Sequence, residues 1–179
     1  MRHLHVSLRA GYGWSDVDWQ ATTAFSGSHD GNGWLAGGQI GYNWQAGRLV
    51  YGVEADIAST WIDGGRGCCS HGVNWLASVR GRAGLTSTDN RWLFYVTAGG
   101  AWAGVEYSGA GFGTFPDTHF GWVAGDGIER ALTPNLMARA EYLYYGFDSV
   151  SAPAGAVGPG AADLEPTGQT VRFGLNFKF

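Results

Sequence analysis

The chain has little charge, almost no cysteine or methionine, and no long apolar run. Charged residues make up 15% of its 179 residues, well below the roughly 25% of an ordinary soluble domain. A net charge of −4, with 11 Lys+Arg against 15 Asp+Glu, says little about partners; no basic stripe suggests nucleic acid, and no nucleic-acid partner is expected. No stretch approaches the roughly 20 consecutive apolar residues of a membrane helix. The opening residues lack the apolar core of a signal peptide, so an export signal is expected to have been removed, with Met1 in its place. The two cysteines, Cys68 and Cys69, are adjacent. Metal and redox motifs normally space their cysteines by two residues, and a disulfide between neighbours strains the peptide. They are expected to be a loop pair with no catalytic role, and no metal centre or cofactor is expected.

What is abundant is aromatic and small. Phe, Trp and Tyr reach 15% with 9 Trp, alongside 31 Gly, which suits tight turns and close strand packing more than helices. These residues alternate. In Thr170–Phe179, Val171, Phe173, Leu175, Phe177 and Phe179 share one face of an extended chain, and Thr170, Arg172, Gly174, Asn176 and Lys178 share the other, because strand side chains point to opposite faces. An apolar face of this kind fits a strand with lipid outside and a polar lumen inside.

The same period recurs eight times, in 2–14, 33–44, 49–58, 73–85, 92–105, 119–132, 136–147 and 170–179. The fifth segment is the least decisive, since Trp92, Phe94, Val96, Ala98 and Trp102 oppose a second apolar set, Leu93, Tyr95 and Thr97. The Trp face is assigned outward. Connections alternate between long and short. The long ones, about 15–32, 59–72, 106–118 and 148–168, are expected to be outer loops, and the short ones to be turns. Short turns at one end and long loops at the other are the pattern of an outer-membrane barrel. The expected fold is therefore all-β: one domain, an eight-stranded antiparallel up-and-down transmembrane β-barrel. Closure suits lipid, because hydrocarbon cannot satisfy an open strand edge.

This face assignment sends Arg9, Glu54, Asp56, Arg80, Arg82, Glu129, Arg139, Glu141, Arg172 and Lys178 into the lumen. An eight-stranded lumen is just wide enough for side chains to fill it, so these charges are expected to pair into a plug. Asp126 and Arg130 fall on the lipid face instead. A midplane Arg there costs about 2–4 kcal/mol, and a carboxylate costs less. Asp126 with Ala124, Ala138 and Ala140 is expected to form either a contact with another protomer or protein, or a bulge that turns Asp126 inward.

Several stretches resemble the small outer-membrane β-barrel (porin-family) proteins of α-proteobacteria, related in fold to the OmpA transmembrane domain. They are Gly37–Trp44 (GGQIGYNW), Val50–Asp56 (VYGVEAD), Ser78–Gly84 (SVRGRAG), Gly121–Gly125 (GWVAG), Leu132–Asn135 (LTPN) and Ala138–Tyr142 (ARAEY). The resemblance spans all eight segments. It implies a Gram-negative outer membrane, lipid as the surrounding partner, and Phe179 as a C-terminal assembly signal. It also implies a structural or interaction role with at most weak solute passage, or a hemin-binding or adhesive one.

Other functions have thinner support. His29, His71 and His119 are placed toward the outer end, where neutral imidazole can ligate haem iron. Ser70 and His71 carry no recognisable nucleophile motif, so no enzyme is expected. The alternative from another class is a soluble lipocalin-like ligand carrier, which requires the opposite face assignment.

Overall fold

The computed structural model describes the backbone of residues 2–21, 26–66, 69–109, 113–148, 150–152 and 162–179, and the side chains of 2–15, 31–62, 72–105, 118–148 and 167–179. Seven long strands follow one another as β1 (Arg2–Ala21), β2 (Ser26–Ala46), β3 (Leu49–Arg66), β4 (Cys69–Thr86), β5 (Trp92–Gly109), β6 (Gly113–Ala131) and β7 (Leu136–Phe147). The three-residue β8 (Val150–Ala152) and the long β9 (Ala162–Lys178) complete the set. β1 to β7 pair antiparallel in sequence order, β7 pairs with β9, and β9 returns to pair with β1 from His5↔Lys178 to Ala21↔Ala162. β8 continues along the edge of β9 that β7 occupies lower down. The two share one position, and the result is a closed eight-stranded antiparallel barrel. Closure leaves no open edge in the lipid-facing region.

Burial follows the alternation. Leu8 (77% exposed), Trp34 (67%), Ile57 (62%), Val96 (63%) and Phe173 (62%) face out, whereas His5, Arg80, Glu54 and Arg172 are essentially inaccessible. The ambiguous fifth strand resolves as assigned, with Phe94 and Val96 outside and Leu93, Tyr95 and Thr97 inside. A lipocalin-like interior is thereby excluded, since its apolar face would point inward. Aromatic rings gather at two levels: Trp44, Tyr51 and Trp92 near the tight turns, and Trp14, Trp34, Trp61, Phe120 and Trp122 ten or so residues away. Trp34 and Trp44 are ten residues apart on β2. At about 3.3 Å per residue and a tilt near 40° this separation is about 25 Å, the height of the apolar band of such barrels.

The long-loop expectation is corrected. Segments 15–32, 59–72 and 106–118 are mostly paired strand, since β1–β2 remains in register to Gln20↔Ser26, β3–β4 to Arg66↔Cys69 and β5–β6 to Gly109↔Gly113. Within 148–168, β9 already begins at Ala162. Their polar composition indicates departure from the bilayer but does not end pairing. Continuing the ladder into water keeps backbone donors and acceptors matched. Cys68 and the side chains of Cys69, Ser70, His29 and His71 lie outside the described residues.

The opposite end is built from tight turns. Gly47 has φ +62° between the paired residues Ala46 and Leu49, at the first central position of a two-residue hairpin, where a positive φ favours glycine. Thr133 Oγ1 accepts the Leu136 N–H at 3.0 Å, and Asn135 Nδ2 donates to the Lys178 carbonyl at 3.0 Å, which ties the last strand to this turn. In the 87–91 turn, Asp89 Oδ1 accepts the Ser87 hydroxyl and, at 3.1 Å, the Arg91 N–H. Those donors favour the ionised form and hold its carboxyl below the usual aspartate range. A depressed folded-state pKa contributes stability above the unfolded value that is lost as pH falls through the folded one. The Arg91 amide resonance should therefore stay in place through pH 5 and move only below the ordinary aspartate pKa of about 3.9. Asp89→Asn should remove that titration; a midpoint at or above the ordinary value would contradict the turn's hydrogen bonding.

Candidate functional site

The inner face gathers nine of the ten charges assigned to it. Arg9, Glu54, Asp56, Arg80, Arg82, Glu129, Arg139, Glu141 and Arg172 are all buried. Lys178 is the exception and corrects the expectation: it is partly exposed near the turn end, and no ion pair of the described residues includes it. Its position in the last register pair with β1 places it beyond the reach of charges located near mid-barrel.

Glu54 on β3 is the hub. It accepts both Nη atoms of Arg139 at 2.9 Å each, Arg82 Nη1 at 2.8 Å, and lies 3.3 Å from His5 Nε2. Arg139 lies across the lumen on β7, so the bidentate pair braces opposite walls. Glu141 takes Arg9 Nη1 at 2.9 Å, Arg80 Nη1 at 3.1 Å and Arg139 Nη2. Asp56 takes Arg172 Nη1 at 2.8 Å and lies 3.3 Å from Arg9 and 3.4 Å from Arg80, and it also accepts the Ser78 hydroxyl. Glu129 completes the set with Arg82 at 2.8 Å and an Asn176 amide N–H at 3.1 Å.

Uncharged groups lock this arrangement, and the sequence argument gave them no role. Tyr95 donates its hydroxyl to Glu141 at 3.1 Å and accepts Arg139 Nε at 2.6 Å, while Arg82 stacks 4.0 Å from its ring centre. Its ring lies where Gly127 has no side chain, since a Cβ there would stand 2.2 Å from the Tyr95 hydroxyl oxygen. Tyr145 accepts an Arg172 N–H. The only hint of either was an aromatic on the inward half of an alternating strand.

The lumen is unbalanced in charge. Among the described buried residues, five guanidiniums (Arg9, Arg80, Arg82, Arg139, Arg172) face four carboxylates (Glu54, Asp56, Glu129, Glu141), one positive charge in excess. Buried charges hold together only when each has a partner, and removing one partner costs about 3–5 kcal/mol. Glu54→Ala should therefore destabilise the barrel by about that amount in reversible unfolding from lipid vesicles, because Arg82, Arg139 and His5 lose a common partner. The Glu54→Ala/Arg139→Ala pair should cost less than the sum of the two single changes. Additive costs would show that the two do not act as one unit.

On the outer wall, Asp126 is exposed between Val96 and Tyr142 in unbroken register. The bulge that would turn it inward is absent. Ala124, Ala138 and Ala140 are half-buried neighbours on the same face, and Arg130 lies over the Trp92 ring at 5.0 Å, toward the turns. Asp126 is four residues further along β6, about 10 Å deeper at the tilt above. Phe179 donates its N–H to the Leu4 carbonyl at 2.9 Å and packs edge-on against Phe177. His119 is buried inside the barrel.

A barrel with rings and aliphatics outside, guanidiniums and carboxylates inside, and turns of a few residues at one end defines an integral outer-membrane protein. The chain belongs to the outer membrane protein β-barrel domain family, whose model matches residues 3–179. It is similar to a 22 kDa outer membrane protein of Rhizobium leguminosarum bv. viciae, at 40% identity over 63% of this chain and 53% of that protein. The aligned part is thus about half of that relative's length. It is also similar to a 25 kDa outer-membrane immunogenic protein of Brucella abortus, at 32% identity over 98% of this chain and 78% of that one. Among solved structures, OprG of Pseudomonas aeruginosa superposes with TM-score 0.63 at 13% identity, covering 98% of this chain and 95% of that one, a likeness of fold alone.

Proposed function

We propose that the barrel is a sealed element of the outer membrane that holds its outer hairpins above the lipid, a structural and recognition role with at most rare passage of small ions. The plug that joins β1, β3, β4, β6, β7 and β9 across the lumen carries this reading. Passage through it requires several buried pairs to exchange partners together, each exchange opposed by the cost of an unpaired buried charge. The paired strands continue past the upper aromatic level for roughly 15–20 Å, which supports a displayed surface. The Brucella relative is named immunogenic, in keeping with display. In planar bilayers, the wild type should show brief, small openings at most, and Glu54→Ala and Arg139→Ala should open more often. A large steady conductance in the wild type, unaltered by either change, would contradict the sealed state.

The Asp126 patch supports a second reading, a contact with another membrane protein. Among the described residues nothing is hydrogen-bonded or ion-paired to the Asp126 carboxylate, and the alanines beside it allow close approach. Two copies related by an axis along the membrane normal would oppose Asp126 to Asp126 at equal depth, so Arg130 of the second copy cannot reach it. The fitting partner is therefore a different chain that brings a cation or an N–H donor to that depth. Cross-linking from this wall in native membranes should yield a mixed adduct that Asp126→Ala diminishes. An adduct pattern and barrel stability indifferent to that change would remove the contact.

A further inference from the structure

Above the plug the lumen changes character. The interior of an outer-membrane barrel is ordinarily polar, yet here Leu35, Ala58, Leu76, Ala101, Val123 and Leu143 are all inward and buried, one from each of β2 to β7. On β3 and β7 this apolar layer begins at once, since Ala58 and Leu143 are the first inward residues above Asp56 and Glu141. Ala101, Val123, Leu143 and Tyr145 form one cluster, with Phe147 packed against it. A Leu143 methyl carbon stands 2.8 Å from where a Cβ on Gly125 would be, so the bare glycine lets the layer close on that side. Polar compartments flank the layer. Below it are the ion pairs. Above it lies a cavity of about 50 Å³ whose lining includes Ser15, His119, Thr167 and Thr170 beside Ile62 and Leu76. At about 10–15 Å³ for each water, that cavity has room for a few.

Water that threads a narrow apolar section gives up hydrogen bonds it cannot replace there, and pores close by drying at such constrictions. We infer that the layer around Val123 and Leu143 is a dry seal, a second barrier in series with the plug that refuses hydrated ions even while plug pairs exchange partners. The inference rests on the sealed-barrel reading above and adds to it the residues that set the selection against ions. Thr170 is the weak point of the seal. It is the first inward residue above Arg172 on β9 and is 2% exposed, and its hydroxyl has no hydrogen-bond partner, so it offers water one foothold in an otherwise apolar ring. A layer that served only to pack the barrel would pass or stop ions alike whether a side chain of given shape were polar or not. A dry seal would not.

Two exchanges close in shape separate these cases, read in planar bilayers on the full chain carrying Glu54→Ala, whose plug lacks its hub. Val123→Thr adds a hydroxyl to the layer and should raise the fraction of time open about fivefold, the worth of one neutral hydrogen bond to the entering water. Thr170→Val removes the hydroxyl already there and should lower that fraction by a similar factor. If Val123→Thr does not fold, Leu143→Asn serves the same purpose. A second readout needs no current: in lipid nanodiscs, magnetisation transfer from water should reach the Ile62 and Leu76 methyls of the wild type and miss those of Val123 and Leu143. Water contact at Val123 and Leu143 would overturn the seal, and so would open times in a conducting Glu54→Ala chain that ignore both exchanges. Dry methyls with a Glu54→Ala current no greater than that of the wild type would count against the plug as the barrier and for the layer.

Discussion

Hydrocarbon offers a peptide group no hydrogen-bond partner, and the structure follows from that constraint. A strand in lipid must be paired on both edges, so the sheet has to close, and β9 meeting β1 closes it. Closure divides every strand into an outer and an inner half. The outer half meets lipid and carries Trp, Phe, Leu and Val, and the inner half takes what lipid rejects. With eight strands the inner space is narrow, and charges placed there cannot stay hydrated. They must find one another, and the plug of five arginines and four carboxylates is the result.

The plug therefore does two things at once. It satisfies charges that closure has buried, and it ties distant walls together, Glu54 of β3 to Arg139 of β7 and Asp56 of β3 to Arg172 of β9. Tyr95 and Tyr145 extend it with hydroxyls that bond to arginines, and glycine at 127 leaves room for the Tyr95 phenol. Tyr145 also separates two kinds of interior, ion pairs below and aliphatics above. A barrel organised this way has ion pairs filling its middle and an apolar layer above them.

Much of this was legible in the sequence because strand period and solvent polarity are local properties. Val171 to Phe179 declares its outer face without reference to any other strand, and Glu54, Arg80 and Arg139 declare the inner one. Strand ends were not legible. Polar residues such as those of 15–32 mark exit from lipid, whereas strand ends depend on where pairing stops, and pairing can continue in water. Partner choice inside the lumen was not legible either, because Arg139 reaches Glu54 only once strand stagger is known. The apolar layer above the plug had left a trace: in Trp34-Leu35-Ala36, Trp75-Leu76-Ala77 and Tyr142-Leu143-Tyr144 the alternation lapses into unbroken apolar triplets, each with an inward middle residue.

The central claim is that the oily face meets the bilayer while the charges occupy the centre. Fluorescence quenching by lipids brominated at graded depths, on variants retaining a single tryptophan at position 34, 44 or 122, tests it most directly. Each tryptophan should be quenched strongly, most of all by bromines near the headgroups, with Trp34 and Trp44 reporting opposite leaflets. Tryptophans untouched by brominated lipid, in a chain that stays folded and monodisperse in plain buffer, would contradict it.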